Sequence, residues 1–187
     1  MVFRAFISVD FKASDTMLEF CDELRRTDAA LKVVRPELLH LTLKFLGDIQ
    51  ESAVPWVVEV IGSSVSGVEP MEAIFRGVGA FPGLSNIRVV WIGLEGADGL
   101  RVIAERLEKD LSQLGFRREK RGFRPHLTVA RSKGSRGMSR VREVIERWEG
   151  TSFGSQAVEE IRLKKSVLGP TGPSYHTVER VPLRPMD

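Results

Sequence analysis

His40-Leu41-Thr42-Leu43 returns 86 residues later as His126-Leu127-Thr128-Val129. In an extended strand, residues two apart share a face. Each copy therefore presents an imidazole and a hydroxyl side by side, with Leu41, Leu43, Leu127 and Val129 directed the other way. An unperturbed imidazole titrates near neutrality, so of two opposed rings one can hold a proton while the other lacks it. Hydrolysis of a phosphodiester calls for that division of labour. One ring takes a proton from water and the other gives one to the leaving oxygen, while the hydroxyls of Thr42 and Thr128 suit the non-bridging phosphate oxygens. Two strand histidines with no catalytic role would leave the duplication without a reason. A hydrolytic zinc site normally takes three protein ligands; the sequence has no HExxH or comparable cluster, so no metal and no cofactor is expected.

Several neighbours of the two motifs bear charge or rings that a nucleotide would use. Lys44 shares parity with His40 and Thr42, which places it either at the phosphate or as a solvated lysine at the strand end. Arg131 closes the second motif strand; parity puts it opposite His126 unless the strand twists or ends there. Arg121 and Arg124 precede the second motif and suit an RNA backbone. Phe123 and Tyr175 read either as stacking surfaces for a terminal base or as packing residues. His176 lies outside any His-x-Thr context and reads as a surface or strand residue. Between Arg117 and Arg142 there are ten Lys or Arg against one acid, Glu119, inside a chain of 28 bases and 25 acids. The small net charge of +3 thus hides a strongly basic segment beside an acidic remainder. Such asymmetry points to a polyanionic partner.

The elements that must carry these residues alternate. Phe3–Val9 reads as a strand, and Ser14 as the N-cap of a helix bearing Met17, Leu18, Cys21 and Leu24 to about Arg26. Leu39–Leu46 is a strand, Ser52 caps a helix ending near Gly62, and Met71–Ala80 is a strand closed by Pro82-Gly83. The order then restarts: strand Ile87–Leu94, helix Leu100–Leu114, strand His126–Arg131, helix Met138–Trp148, strand Val158–Leu168 and a closing strand Tyr175–Val181. The offset of 86 carries the helix at 52–62 onto 138–148 and the strand at 71–80 onto 157–166, as an internal repeat would. The expectation is an α+β fold of two pseudo-symmetric lobes, approximately 1–86 and 87–187. Each lobe is a small antiparallel sheet with helices on one side, and the active-site cleft lies between them.

The chain of 187 residues, 42% hydrophobic and 28% charged, has the composition of a globular domain with a real core. One cysteine, Cys21, excludes an intrachain disulfide framework. No apolar run approaches the ~20 residues that span a bilayer, and MVFRAFISVD lacks a signal peptide's cleavage pattern. A cytoplasmic monomer without a membrane partner is the expectation.

Taken with their context, HLTLKFLG (His40–Gly47) and PHLTVAR (Pro125–Arg131) resemble the paired HxTx motifs of the two-histidine (2H) phosphoesterase superfamily. Within it, the chain is most similar to the RNA 2',3'-cyclic phosphodiesterase family, once named 2'-5' RNA ligases. FISVD, VRPELLHLTLKFLGD, FRGVGAFP and SVLGPTGPSYHTVERVPL extend the likeness over nearly the whole chain. The resemblance implies a bilobal fold and metal-independent opening of RNA 2',3'-cyclic phosphate ends to 2'-phosphomonoesters. It implies His40 as proton donor to the leaving 3'-oxygen, His126 as the base that activates water, and Thr42 and Thr128 as phosphate holders; the opposite assignment of the histidines stays open. Lys44, Arg131, Arg124 and Tyr175 are the candidate substrate-binding residues, and RNA with a cyclic phosphate end, tRNA fragments among them, the candidate partner. Joining of 2'-5' linkages would be the same chemistry reversed. The competing readings are a phosphodiesterase for small cyclic nucleotides or 2'-5' oligonucleotides, and a non-catalytic RNA-binding module.

Overall fold

A computed structural model describes residues 1–119, 122–170 and 172–185. Its strands are β1 (Val2–Asp10), β2 (Leu31–Val33), β3 (His40–Gln50), β4 (Met71–Gly83), β5 (Asn86–Glu95), β6 (His126–Ser132), β7 (Ser152–Val158), β8 (Glu160–Gly169) and β9 (Gly172–Pro182). Its α-helices are α1 (Asp15–Arg26), α2 (Val54–Val65), α3 (Asp98–Gln113) and α4 (Met138–Arg147).

Two antiparallel sheets form. The first runs β3-β1-β8-β9 and the second β2-β6-β5-β4-β7. Under the offset of 86, β1 corresponds to β5, β3 to β6 and β4 to β8. The orders β3-β1-β8 and β6-β5-β4 are therefore the same order. Neither sheet is built from one half of the chain: β4 of the first half lies in the second sheet, and β8 and β9 of the second half lie in the first. The helices cross over as well. α2 and α3 pack together against the first sheet, through β9 and β3, while α1 contacts β2 and α4 beside the second. Strand exchange of this kind ties the two sheets into one unit.

Local chemistry explains the helices. Ser14 Oγ accepts from the Met17 backbone N–H at 3.2 Å, Asp15 lies in the first turn and Arg25 and Arg26 in the last, so cap and dipole agree at both ends of α1. Met17, Phe20, Cys21 and Leu24 form its buried stripe, and each large apolar side chain so buried contributes roughly 1.5–3 kcal/mol. α2 departs from expectation. Ser52 falls in a short 3-10 turn (Glu51–Ala53), the helix starts at Val54 with Pro55 in its first turn, and it runs on to Val65. Pro at that position needs no donor and has its φ preset, which makes a hydroxyl cap unnecessary.

The span read as one strand, Val158–Leu168, is divided: Val158 ends β7 in the second sheet and Glu160 starts β8 in the first. β2 is three residues long and has no periodicity of its own to announce it. Among the described residues no helix is long and apolar enough to cross a membrane.

Candidate active site

β3 and β6 approach one another where the two sheets meet. Each opens with its histidine, and in each the alternation holds for four residues: His40, Thr42, His126 and Thr128 are half-buried, while Leu41, Leu43, Leu127 and Val129 are buried. The imidazoles are locked identically. His40 Nδ1 lies 2.7 Å from the Leu38 carbonyl oxygen and His126 Nδ1 lies 2.6 Å from the Arg124 carbonyl oxygen, each two residues upstream. A carbonyl only accepts, so Nδ1 carries the proton and donates it. Nε2 is left with its lone pair free in both rings, which is the form a general base needs.

Aromatic rings hold each imidazole from the side. Phe6 and Tyr175 stand 5.0 and 5.1 Å from His40, centre to centre, and Phe81 meets His126 edge-on at 5.0 Å. Tyr175 is thus part of the wall that orients His40, and its ring also edges Phe6 at 5.0 Å. Phe81 in turn packs against Trp91, which is the cross-strand partner of Thr128.

Burial pushes both imidazoles below their ordinary value of 6.5, and the carbonyl bond on each ring opposes that shift. Arg131 adds to the lowering at both histidines, and it also opposes the burial-driven rise of the Tyr175 phenol. Its charge therefore acts on groups from both sheets. His40 alone also has an acid nearby, Asp10, which favours the protonated ring, with Lys164 opposing. Asp10 accepts from Ser8 Oγ at 3.2 Å, from Arg162 at 2.8 Å and from the Lys164 ammonium. Burial alone would raise the Asp10 carboxyl; the bond and charge of Lys164, with the charge of Arg162, hold it below the usual carboxylate range.

A β-bulge in each motif strand decides where the next residues point. Ser8 pairs with Thr42 and Ile7 with Lys44, which leaves Leu43 as the extra residue; Trp91 pairs with Thr128 and Val90 with Ala130, which leaves Val129. An extra residue reverses the alternation downstream. The strict parity of the sequence reading fails on this account at both ends.

Lys44 is turned away from His40 and is not brought to the site. It is 4% exposed, with its ammonium 2.6 Å from Glu108 and 2.7 Å from the Arg117 carbonyl oxygen. Arg131 is turned the other way, onto the face of His126 and Thr128, and is exposed there. Phe45, the residue 86 positions before Arg131, takes the matching place in β3 and lies 65% exposed beside Phe6.

Of the remaining candidates, Arg124 contributes its carbonyl to His126 and exposes its side chain. Phe123 packs against the core, and His176 is exposed beside Ser174. Arg121 lies outside the described residues. The basic window divides in space. Arg131 is exposed on the face of His126 and Thr128, Arg136 pairs with Asp28, and Arg142 donates to the Leu84 carbonyl. A groove of about 620 Å³ between α1 and α4, lined by Glu19, Glu23, Arg140, Arg147 and Trp148, touches neither histidine. Among the described residues no three His, Cys, Asp or Glu side chains converge. Phe6, Asp10, Phe81 and Trp91 were not legible as site residues, since only the fold brings them beside the histidines.

The family model described as the 2'-5' RNA ligase superfamily matches residues 13–165. The chain belongs to that superfamily. Two curated relatives of this superfamily member are each named RNA 2',3'-cyclic phosphodiesterase. The one from Methanothermobacter thermautotrophicus is 39% identical over 181 residues, covering 96% of this chain and 98% of the relative. The one from Archaeoglobus fulgidus is 38% identical over 174 residues, covering 92% and 96%. Among solved structures, a protein of Thermus thermophilus superposes with a TM-score of 0.74 at 28% identity, covering 97% of this chain and 98% of that one. E. coli LigT complexed with 3'-AMP shares the superfamily member's fold, with a TM-score of 0.72 at 22% identity, covering 98% and 99%.

Proposed function

We infer that this chain hydrolyses the 2',3'-cyclic phosphate at RNA ends to a 2'-phosphomonoester. The observation that carries the reading is the repeated lock on the two imidazoles, Nδ1–H to a carbonyl two residues upstream, which leaves both Nε2 atoms free. Full-length relatives named for this activity support the substrate class.

His126 Nε2 takes a proton from water, the water oxygen attacks phosphorus, and the bond from phosphorus to the 3'-oxygen breaks. His40 gives its proton to that oxygen, leaving a 2'-phosphate and a 3'-hydroxyl. Thr42 and Thr128 donate to the non-bridging oxygens, and Arg131 offsets the charge that grows on them. Asp10 favours assigning the acid to His40, because a neighbouring carboxylate stabilises the protonated ring and, among the described residues, no acid does so at His126. The same groups, with a 5'-hydroxyl in place of water attacking phosphorus and the 3'-oxygen again leaving, would form a 2'-5' linkage. The protein is read as one bilobal unit over residues 1–187, a cytoplasmic monomer acting on RNA ends, tRNA fragments among them.

RNA oligonucleotides ending in 2',3'-cyclic phosphate, incubated with the protein in EDTA, test this directly. Wild type should yield a 2'-phosphate, and His40→Ala and His126→Ala should each lose at least about 10²-fold in rate. Chelator-sensitive turnover, or variants as fast as wild type, would overturn the mechanism. RNA binding without turnover would instead identify a binding module.

A further inference from the structure

Lys32 and Arg131 are directly opposed across the β2–β6 pairing. Directly opposed strand residues share a face with their Cβ atoms about 5 Å apart, and like charges so placed repel. The next pair, Val33 and Ala130, faces the core: Ala130 is fully buried and Val33 packs against the core cluster. Lys32 and Arg131 therefore project to the other side, the face that carries His126 and Thr128. Both are exposed, and neither is paired with an acid among the described residues.

Several other cations near the motifs are neutralised. Asp10 takes Arg162 and Lys164, Glu108 takes Lys44, and Asp28 takes Arg136. An unmatched like-charged pair at the mouth of the site stands out against that pattern. The pair also has direction. Arg131 shares the face of His126 and Thr128, and its charge acts on both histidines and on Tyr175. Lys32 extends the positive strip one strand outward. It also reaches the opposite sheet: a Cβ at Gly172, the first residue of β9, would stand 3.0 Å from Lys32 Nζ. Gly172 has φ +121°, where a side chain would be strained, and its bare backbone leaves room for the ammonium.

The scissile cyclic phosphate brings one negative charge, and the two threonines, the protonated histidine and Arg131 already meet it. A further cation beside Arg131 calls for a further anion. We propose that Lys32, together with Arg131, forms a second phosphate subsite that takes the phosphodiester joining the terminal nucleotide to its 5' neighbour. The site thereby selects oligonucleotide ends over isolated cyclic mononucleotides. This rests on the cyclic phosphodiesterase reading given above. Its physical basis is the charge-assisted hydrogen bond from ammonium and guanidinium to phosphate oxygen.

A dinucleotide with a 2',3'-cyclic end, compared with the same dinucleotide bearing an uncharged methylphosphonate linkage, isolates the second phosphate. Wild type should favour the charged linkage by about 10-fold or more in kcat/KM, the size of one hydrogen bond to a charged group. Lys32→Ala should reduce that ratio to about 2-fold or less, and Lys32→Arg should keep most of it. Because the ratio is taken within one variant, a general effect on folding or on the histidines cancels. With longer RNA, the dependence of log(kcat/KM) on log salt should become shallower by about 0.7 in Lys32→Ala, the value for one phosphate contact on a single strand. Equal ratios in wild type and Lys32→Ala, with normal turnover, would overturn the subsite alone. Failure of wild type to turn over either substrate would overturn the catalytic reading and the subsite with it.

Discussion

Asp10 is the direct cross-strand partner of His40, whereas Gly93 occupies that position beside His126. The two halves of the site repeat the imidazole lock but not the charge beside it. Asp10→Asn tests what the difference does. The groups facing His40 are Asp10 from β1, Lys164 from β8, Arg131 from β6 and the neutral Tyr175 from β9. Removing the carboxylate leaves Lys164 unmatched and Arg162 with Glu160 alone, so the field at His40 becomes more positive and its protonated form less favourable. If His40 is the acid, the alkaline limb of kcat/KM against pH moves to lower pH, while the acidic limb set by His126 stays. An unchanged alkaline limb would remove Asp10 from the proton balance.

The wild-type profile has its own expected position. Burial lowers both histidines, and Arg131 lowers both further. A reaction that needs one ring protonated and the other neutral then gives a bell in kcat/KM centred on the acid side of 6.5, the ordinary imidazole value. Arg131→Ala removes a positive charge from the neighbourhood of both rings, so each pKa rises. The whole bell should shift to higher pH as its height falls. A profile still climbing at pH 8 in wild type, or a bell that narrows without moving in the variant, would contradict this electrostatic account.

Lys44 is expected to matter for stability. Its ammonium is buried between Glu108 and the Arg117 carbonyl, and the other Glu108 oxygen accepts the Glu119 backbone N–H at 2.6 Å. The pair ties the segment after α3 to the strand that bears His40. Lys44→Ala strands a carboxylate and a carbonyl, a loss of about 3–5 kcal/mol for a buried pair broken on one side. Lys44→Met with Glu108→Gln removes both charges and should cost clearly less than the sum of the single changes. Urea unfolding of the four proteins checks this; additive losses would mean the two residues do not act as a pair.

The sequence disclosed the two motif strands, the helix stripes and the offset of 86 because each is a local pattern. It did not disclose that β4 and β8 exchange sheets, since strand pairing is set by contacts far apart in the chain. Nor did it place Lys44 and Arg131: both lie beyond a bulge, and a bulge is invisible in residue parity. Lys32 is illegible for a related reason, as it sits in a three-residue strand whose meaning comes from its register with β6. The imidazole locks were equally hidden, because they use the backbone carbonyls of Leu38 and Arg124.

Gly79 is the cross-strand partner of Trp91, and a Cβ there would lie 2.4 and 2.6 Å from two atoms of the indole. Trp91 stands 5.3 Å from Phe81, and Phe81 holds His126 edge-on. One methyl group at Gly79 is thus relayed through two rings to the proposed base. Gly79→Ala should cost about 1–3 kcal/mol by overpacking and lower kcat as His126 loses its support. Gly79→Ala combined with Trp91→Leu takes away the clashing ring and should recover stability relative to Gly79→Ala alone, although Phe81 then loses its neighbour and kcat stays low. Thermal melting and turnover of the three proteins separate the effects. A double variant no more stable than Gly79→Ala would show that the methyl group meets something other than Trp91.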